Sequence, residues 1–149
     1  MVPALLLGTG VVLASLPCFA FLIALIVSLM TRVFRSGYSG ESFWKNTAIM
    51  VLVTLATAVA HLLEIALWAG VFVACGQFPT FEDAFYFSAE SYTSLGYGDL
   101  VPTGRWRLLG PLEAINGLLL FGVSTAAVFA VLSRLLASHL PSRPGGVSG

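Results

Sequence analysis

The sequence predicts an all-α membrane protein: three transmembrane helices, plus a re-entrant pore helix and a glycine-bearing loop between the second and the third. Three observations predict it. Of 149 residues, 58% are hydrophobic and only 9% charged, where a soluble domain carries about 25% charge. Three long runs with few or no charges can each cross ~30 Å of hydrocarbon at about 1.5 Å per residue. The connection between the second and third runs is too polar to span, yet it holds a short helical pattern followed by Thr93-Ser94-Leu95-Gly96-Tyr97-Gly98-Asp99.

Residues 1–31 read as a first, N-terminal helix at the periphery. Residues 3–31 contain no charge. A signal peptide requires a basic stretch before its apolar core, and none precedes this run, so the helix is read as retained. Pro17 is expected to kink it. Residues 32–45 read as a polar loop, with Arg32, Arg35 and Lys45 against Glu41. That excess of basic residues assigns the loop to the cytoplasm.

Residues 46–137 read as one unit. An outer helix, 46–75, is interrupted by His61 and Glu64, with Trp68 toward its outer end, suited to the membrane interface. A pore helix, 81–93, is capped by Thr80, and Glu82 and Asp83 complement the positive end of its dipole. The segment 94–98 follows at once. An inner helix, 108–137, carries Glu113, Asn116, Gly117 and Gly122 and ends near Arg134. The tail, 138–149, is rich in Pro, Gly and Ser and reads as disordered. The charges agree with an N-terminus outside and a C-terminus in the cytoplasm. Arg32, Arg35, Lys45, Arg134 and Arg143 lie inside, while Arg105, Arg107, Glu82, Asp83 and Asp99 lie outside. Cys18 and Cys75 sit in apolar runs and read as buried apolar residues, with no disulfide or zinc spacing.

No side chain in 93–99 forms a catalytic set, so the chemistry of this segment is main-chain chemistry. Glycine tolerates positive φ, so Gly96 and Gly98 can alternate in handedness with their neighbours. Successive carbonyls can then point to one side, where an ordinary strand alternates them. A row of carbonyls suits a hard monovalent cation that must shed its water. Non-helical backbone at membrane depth is tolerated only when it is buried in protein or lines water.

Ser94-Leu95-Gly96-Tyr97-Gly98, followed by Asp99, resembles the selectivity filter of the potassium-channel pore-domain family, Thr-Val-Gly-Tyr-Gly. The resemblance covers roughly residues 46–137 and implies a prokaryotic-type pore preceded by one extra helix, in a cell membrane. It implies potassium ions among the carbonyls of Ser94, Leu95, Gly96, Tyr97 and Gly98, with the Ser94 hydroxyl adding a ligand at the inner end. One loop per chain implies a homotetramer of cyclic symmetry. The partners expected are further copies of the chain, membrane lipid and K+. No other cofactor and no nucleic acid is expected, and the balanced charge agrees with the latter.

The sequence departs from the family at two places. Ser94 stands for Thr, and Leu95 has no β-branch and stiffens the backbone less than Val. A weakly selective potassium/sodium channel is therefore one alternative. A non-conducting membrane subunit regulating a partner is another.

Around the filter, the resemblance implies support from Thr93 and from a brace in which Glu90 pairs with Asp99, with Tyr86 as an aromatic donor. The plain reading of Glu90 is a partly solvated acid. On the inner helix, Gly117, Phe121, Thr125, Phe129 and Leu132 are candidates for the cavity and gate, with Gly117 near the family's hinge glycine. Ordinary packing accounts for the same residues equally well. His61 and Glu64 share a helix face at i, i+3. Ionisable groups inside a membrane are functional or paired. They read as hydrogen-bonded to a neighbouring helix, with Asn116 or Glu113 as partner, and proton sensing is the alternative. The first helix lacks the repeated arginines of a voltage sensor, and nothing assembles a nucleophile, base or metal set for an enzyme.

Overall fold

Helix propensity and apolar runs dominate each described segment. The computed structural model describes residues 2–35 and 43–137 and is helical along most of that length. In chain order the elements are α1 (Val2–Arg35), α2 (Phe43–Ala74), α3 (Phe81–Tyr92), a single 3-10 turn at Gly104–Trp106, and α4 (Leu109–Ala137). Among the described residues, three stretches are long and apolar enough to cross a membrane: Val2–Arg32, Phe43–Ala74 and Gly104–Ala137.

The short helix begins where its cap dictates. Thr80 is extended (φ −123°, ψ 155°), and its Oγ1 accepts a 3.1 Å hydrogen bond from the Asp83 amide. One of the amide donors that a helix N-terminus leaves orphaned is thereby satisfied.

Three stacked apolar layers hold the helices together. The layer around α3 contains Trp68, Phe72, Phe78, Phe87 and Leu109, with Ala4 of α1. Rings of Phe72, Phe78 and Phe87 meet at centroid distances of 4.9–5.9 Å. The middle layer joins Phe19, Ile23, Ala60, Ile65, Tyr92 and Leu120. The third joins Met30, Ile49, Val53, Val131 and Leu135, beyond the reach of α3. In lipid, apolar surface gives little net drive to associate, so close packing and polar contacts decide which faces meet.

Several sequence expectations change here. α1 reaches Arg35, passing Pro17 as one continuous helix, and α2 starts at Phe43, so both extend into the expected loop 32–45. α1 is not merely peripheral, since Ala4, Phe19, Ile23 and Met30 contribute to all three layers. The contact is a narrow stripe, and most of the rest of α1, including Leu6, Leu13 and Phe21, stays exposed. Trp68 is fully buried rather than interfacial: its indole fills the space against Phe72 at 6.3 Å. Cys18 is exposed, not buried, because it lies off the stripe of α1 that meets the other helices. The reading of residues 138–149 as a tail, and that of the loop interior 36–42, lie outside the described residues.

Candidate functional site: the loop after α3 and the polar seam behind it

α3 ends in a tight reversal. The Ser94 amide donates to the Ser91 carbonyl (3.0 Å) and the Leu95 amide to the Glu90 carbonyl (2.8 Å). These are the paired bonds of a Schellman motif, whose left-handed position glycine usually fills. Here Ser94 fills it, with φ 58°, the one non-glycine residue at positive φ among those described. Such a conformation costs a side-chain-bearing residue about 1–2 kcal/mol.

The alternation continues. Gly96 has φ 60° and Gly98 φ 79°, while Leu95 and Tyr97 between them are not in the positive region. Beyond Leu95, the amides of Gly96, Tyr97 and Gly98 make no hydrogen bond among the described residues. The side chains of Leu95 (57% exposed) and Tyr97 (69%) project outward from the chain. The sequence pointed to the two glycines. It did not point to positive φ at Ser94, because serine carries no signal for the left-handed region.

α3 and the start of α4 frame this loop. Tyr86 on α3 donates from its hydroxyl to Asp99 Oδ2 at 3.0 Å, and Asp99 Oδ1 accepts from the Leu100 amide at 2.9 Å. Glu90 and Asp99 are not brought into direct hydrogen bonding among the described residues: the carboxylate of Asp99 turns to Tyr86 instead. Glu90 is 4% exposed, and its Oε1 is buried without a partner. It lines a groove of about 360 Å³ behind the loop, together with Ser91, Ser94, Gly96, Gly98 and Arg107. Thr93 caps the end of α3, its hydroxyl donating to the Ala89 carbonyl at 2.7 Å.

The bond to Asp99 pushes the Tyr86 phenol up to about 12. A raised phenol holds its proton, and so this bond, through pH 10, where an ordinary tyrosine is half ionised. Tyr86→Phe removes the bond. We expect faster amide hydrogen exchange at Gly96 to Leu100 in that variant, with protein yield unchanged. Identical exchange in parent and variant would show that the contact does not brace the loop.

Behind α3 runs a buried seam of polar groups. The Ser88 hydroxyl meets the Ile65 carbonyl at 2.9 Å and makes a short hydrogen bond with Glu113. Ser91 donates to the Gly110 carbonyl at 2.8 Å, and Ser15 of α1 donates to Asn116 Oδ1 at 3.2 Å. Glu64 lies against Asn116 and Ser15. His61 takes neither expected partner on α4. Its Nδ1 lies 2.8 Å from the Tyr92 hydroxyl and its Nε2 lies 2.9 Å from Ser124 Oγ. His61 and Glu64 thus work with different partners, because a three-residue step offsets them along the helix. The serines and Tyr92 were missed from sequence: a lone hydroxyl in an apolar helix satisfies itself on its own backbone as readily as across an interface.

The α4 candidates divide by burial. Phe121, Thr125, Phe129 and Leu132 are exposed and line a groove with Thr54, Thr57 and His61 of α2. Gly117, one turn before Phe121, is buried against the end of α3, where an added methyl would overlap the Tyr92 carbonyl oxygen. That close approach, rather than a hinge, accounts for glycine at this position.

Comparison with known proteins follows this anatomy. A family model described as "Ion channel" matches residues 60–134, covering the second half of α2, α3, the loop and most of α4. The chain is 35% identical over 97 residues to the inward rectifier potassium channel Kirbac3.1 of Paramagnetospirillum magnetotacticum, a match covering 60% of this chain and 32% of that protein. It is 48% identical over 44 residues to potassium voltage-gated channel subfamily A member 2 of Xenopus laevis and of Mus musculus, covering 29% of this chain and 9% of each relative. The chain therefore spans about a third or less of the length of these relatives. No solved structure matches it. The family match covers half of the chain and takes in the short helix, its left-handed loop and the helices that frame them; the chain belongs to the ion-channel family.

Proposed function

We propose that this chain is the subunit of a passive, potassium-selective channel in which four copies surround one ion pathway. The observation that carries the reading is the run of positive φ at Ser94, Gly96 and Gly98 with ordinary backbone between them. Alternating handedness turns successive carbonyls toward one side. The oxygens of Ser94, Leu95, Gly96 and Tyr97 then replace the water shell of a potassium ion, and repulsion between neighbouring ions moves them along. Gly98 ends the row, and the Ser94 hydroxyl adds a ligand at the inner end.

Assembly as a homotetramer follows from the chemistry of a single copy. Unpaired amides and an exposed loop between spanning helices are unfavourable in lipid unless protein or a water-filled pathway receives them. One loop cannot encircle an ion, whereas four related by a cyclic axis can. Glu82, Asp83 and Asp99 at the outer mouth raise the local cation concentration. Phe121, Phe129 and Leu132 on the exposed face of α4 close the inner cavity by dewetting. In this reading the N-terminus lies outside the membrane and the C-terminus in the cytoplasm.

The similarity to Kirbac3.1 and to the voltage-gated relatives supports potassium as the ion. The unbranched Leu95 favours one second reading, a pore that passes sodium nearly as well. Purified protein in lipid vesicles tests both. We expect uptake of potassium and rubidium, with sodium uptake lower by at least about tenfold, a difference of ~1.4 kcal/mol in barrier height. Equal uptake of all three ions would support the second reading, and no uptake of any would remove both.

A further inference from the structure

We infer that His61 is a positioning residue, joining the base of the filter to the inner helix through a one-way chain of hydrogen bonds. The inference rests on the filter reading above and adds to it a residue outside the filter.

Its direction follows from counting protons. The Ser124 hydroxyl has one proton, and it donates to the Phe121 carbonyl at 3.1 Å. Toward His61 Nε2, 2.9 Å away, Ser124 Oγ is therefore an acceptor, so Nε2 carries the imidazole proton. The other nitrogen, Nδ1, then offers a lone pair, and the Tyr92 hydroxyl 2.8 Å away donates to it. The chain reads Tyr92 O–H to Nδ1, Nε2–H to Ser124, and Ser124 O–H to the Phe121 carbonyl. Each hydroxyl then donates once; with the proton on Nδ1 instead, the Tyr92 hydroxyl would have no acceptor among the described residues.

Both ends of this chain sit where conduction is decided. Tyr92 is the last residue of α3, two residues before Ser94 and its left-handed turn. It is fully buried, and its carbonyl presses on Gly117. At the far end, Phe121 belongs to the exposed face of α4 that lines the groove. The His61 ring stacks on the Phe121 ring at 4.3 Å and 27°, with Phe19 of α1 tilted against it at 5.1 Å. Tyr92 and Phe121 also meet, at 5.5 Å. A shift or rotation of α4 at Ser124 must either carry the imidazole with it or break the Nε2 bond. Either outcome is felt at Tyr92, and so at the turn that sets Ser94. A residue that merely filled space would need no particular tautomer and no hydroxyl at both ends.

Two measurements test this. Imidazole nitrogen NMR of the purified, lipid-embedded chain should show His61 as a single neutral tautomer protonated at Nε2. Tyr92→Phe should move the Nδ1 signal while leaving Nε2 protonated. Mixed tautomers, or an Nδ1 signal indifferent to Tyr92→Phe, would overturn the chain of bonds whether or not the protein conducts. The potassium-to-sodium permeability ratio of open channels is the second readout, because it does not depend on how much protein folds. We expect His61→Phe, which keeps the ring stacking, and Tyr92→Phe, which removes one oxygen, each to lower the ratio by at least about fivefold. The double variant should fall no further than the larger single effect. His61→Gln, with a donor and an acceptor, should recover part of the loss. Ser124→Ala, on α4 and away from the filter, should also lower the ratio. An unchanged ratio in Tyr92→Phe, or effects that multiply in the double variant, would overturn the positioning role. An unchanged ratio in Ser124→Ala would overturn the link to α4. A parent protein that passes no ions would count against the filter reading, while the NMR result would still decide the geometry of His61.

Discussion

Gly96→Ala is expected to cut potassium conduction sharply while leaving the protein folded and assembled. A methyl at Gly96 meets nothing within 4 Å, so packing does not oppose it. The backbone does oppose it: φ is 60°, and holding an L-alanine there costs about 1–2 kcal/mol. With nothing packed against this position, that cost is relieved by rotating the residue to negative φ, which swings its carbonyl out of the row. In the proposed pathway, loss of one lining oxygen from each copy should reduce single-channel conductance by more than about tenfold, a barrier increase above ~1.4 kcal/mol. D-alanine at the same position prefers positive φ and should retain conduction. The paired measurement is conductance and oligomer size for both variants. Normal conductance in Gly96→Ala would show that handedness at this residue does not set the pathway.

The opposite pattern is expected of Gly117→Ala, which should fail at folding rather than at conduction. Its methyl would overlap the Tyr92 carbonyl oxygen and approach the Tyr92 carbonyl carbon at 3.0 Å and ring Cδ2 at 3.2 Å. Backbone on both sides of the contact cannot step aside as a flexible side chain would. Separating α3 from α4 also stretches the hydrogen bond from Ser91 to the Gly110 carbonyl and the contact between Ser88 and Glu113. Overpacking a tight contact costs about 1–3 kcal/mol, and more where backbone must move. We expect a lower melting temperature and loss of assembled protein in detergent. A neighbouring control, Gly122→Ala, has nothing within 4 Å of the added methyl and should behave like the parent. Normal assembly of Gly117→Ala would mean that α3 and α4 approach less closely than described.

These two glycines mark what the sequence could and could not reveal. The spans were legible because charge and length alone decide them in a bilayer. The start of α3 was legible because Thr80 caps it, through a pairing only three residues apart. Glycines near a tyrosine advertise positive φ, and Gly96 and Gly98 adopt it. Gly117 advertised a hinge as readily as a close contact, and only the position of the Tyr92 carbonyl distinguishes them. Ser94 was hidden for the converse reason. Its conformation is imposed by the Schellman bonds to Ser91 and Glu90, not by its own preference.

The polar seam was half legible. His61 and Glu64 stood out as ionisable groups inside an apolar helix, but their partners are serines, an asparagine and a tyrosine on other helices. Which hydroxyl lies opposite depends on helix rotation and depth, which one sequence does not encode locally. Trp68 shows the same limit: its place near a helix end suggested the interface, whereas the aromatic layer around Phe72 and Phe87 buries it.

The most direct test of the central claim is the reversal potential of a bilayer containing only this purified chain, with potassium on one side and sodium on the other. If backbone oxygens of assembled copies replace the hydration shell of potassium, current should reverse far from zero, on the side set by the potassium gradient. Current reversing near zero, or no current from well-folded protein, would contradict it.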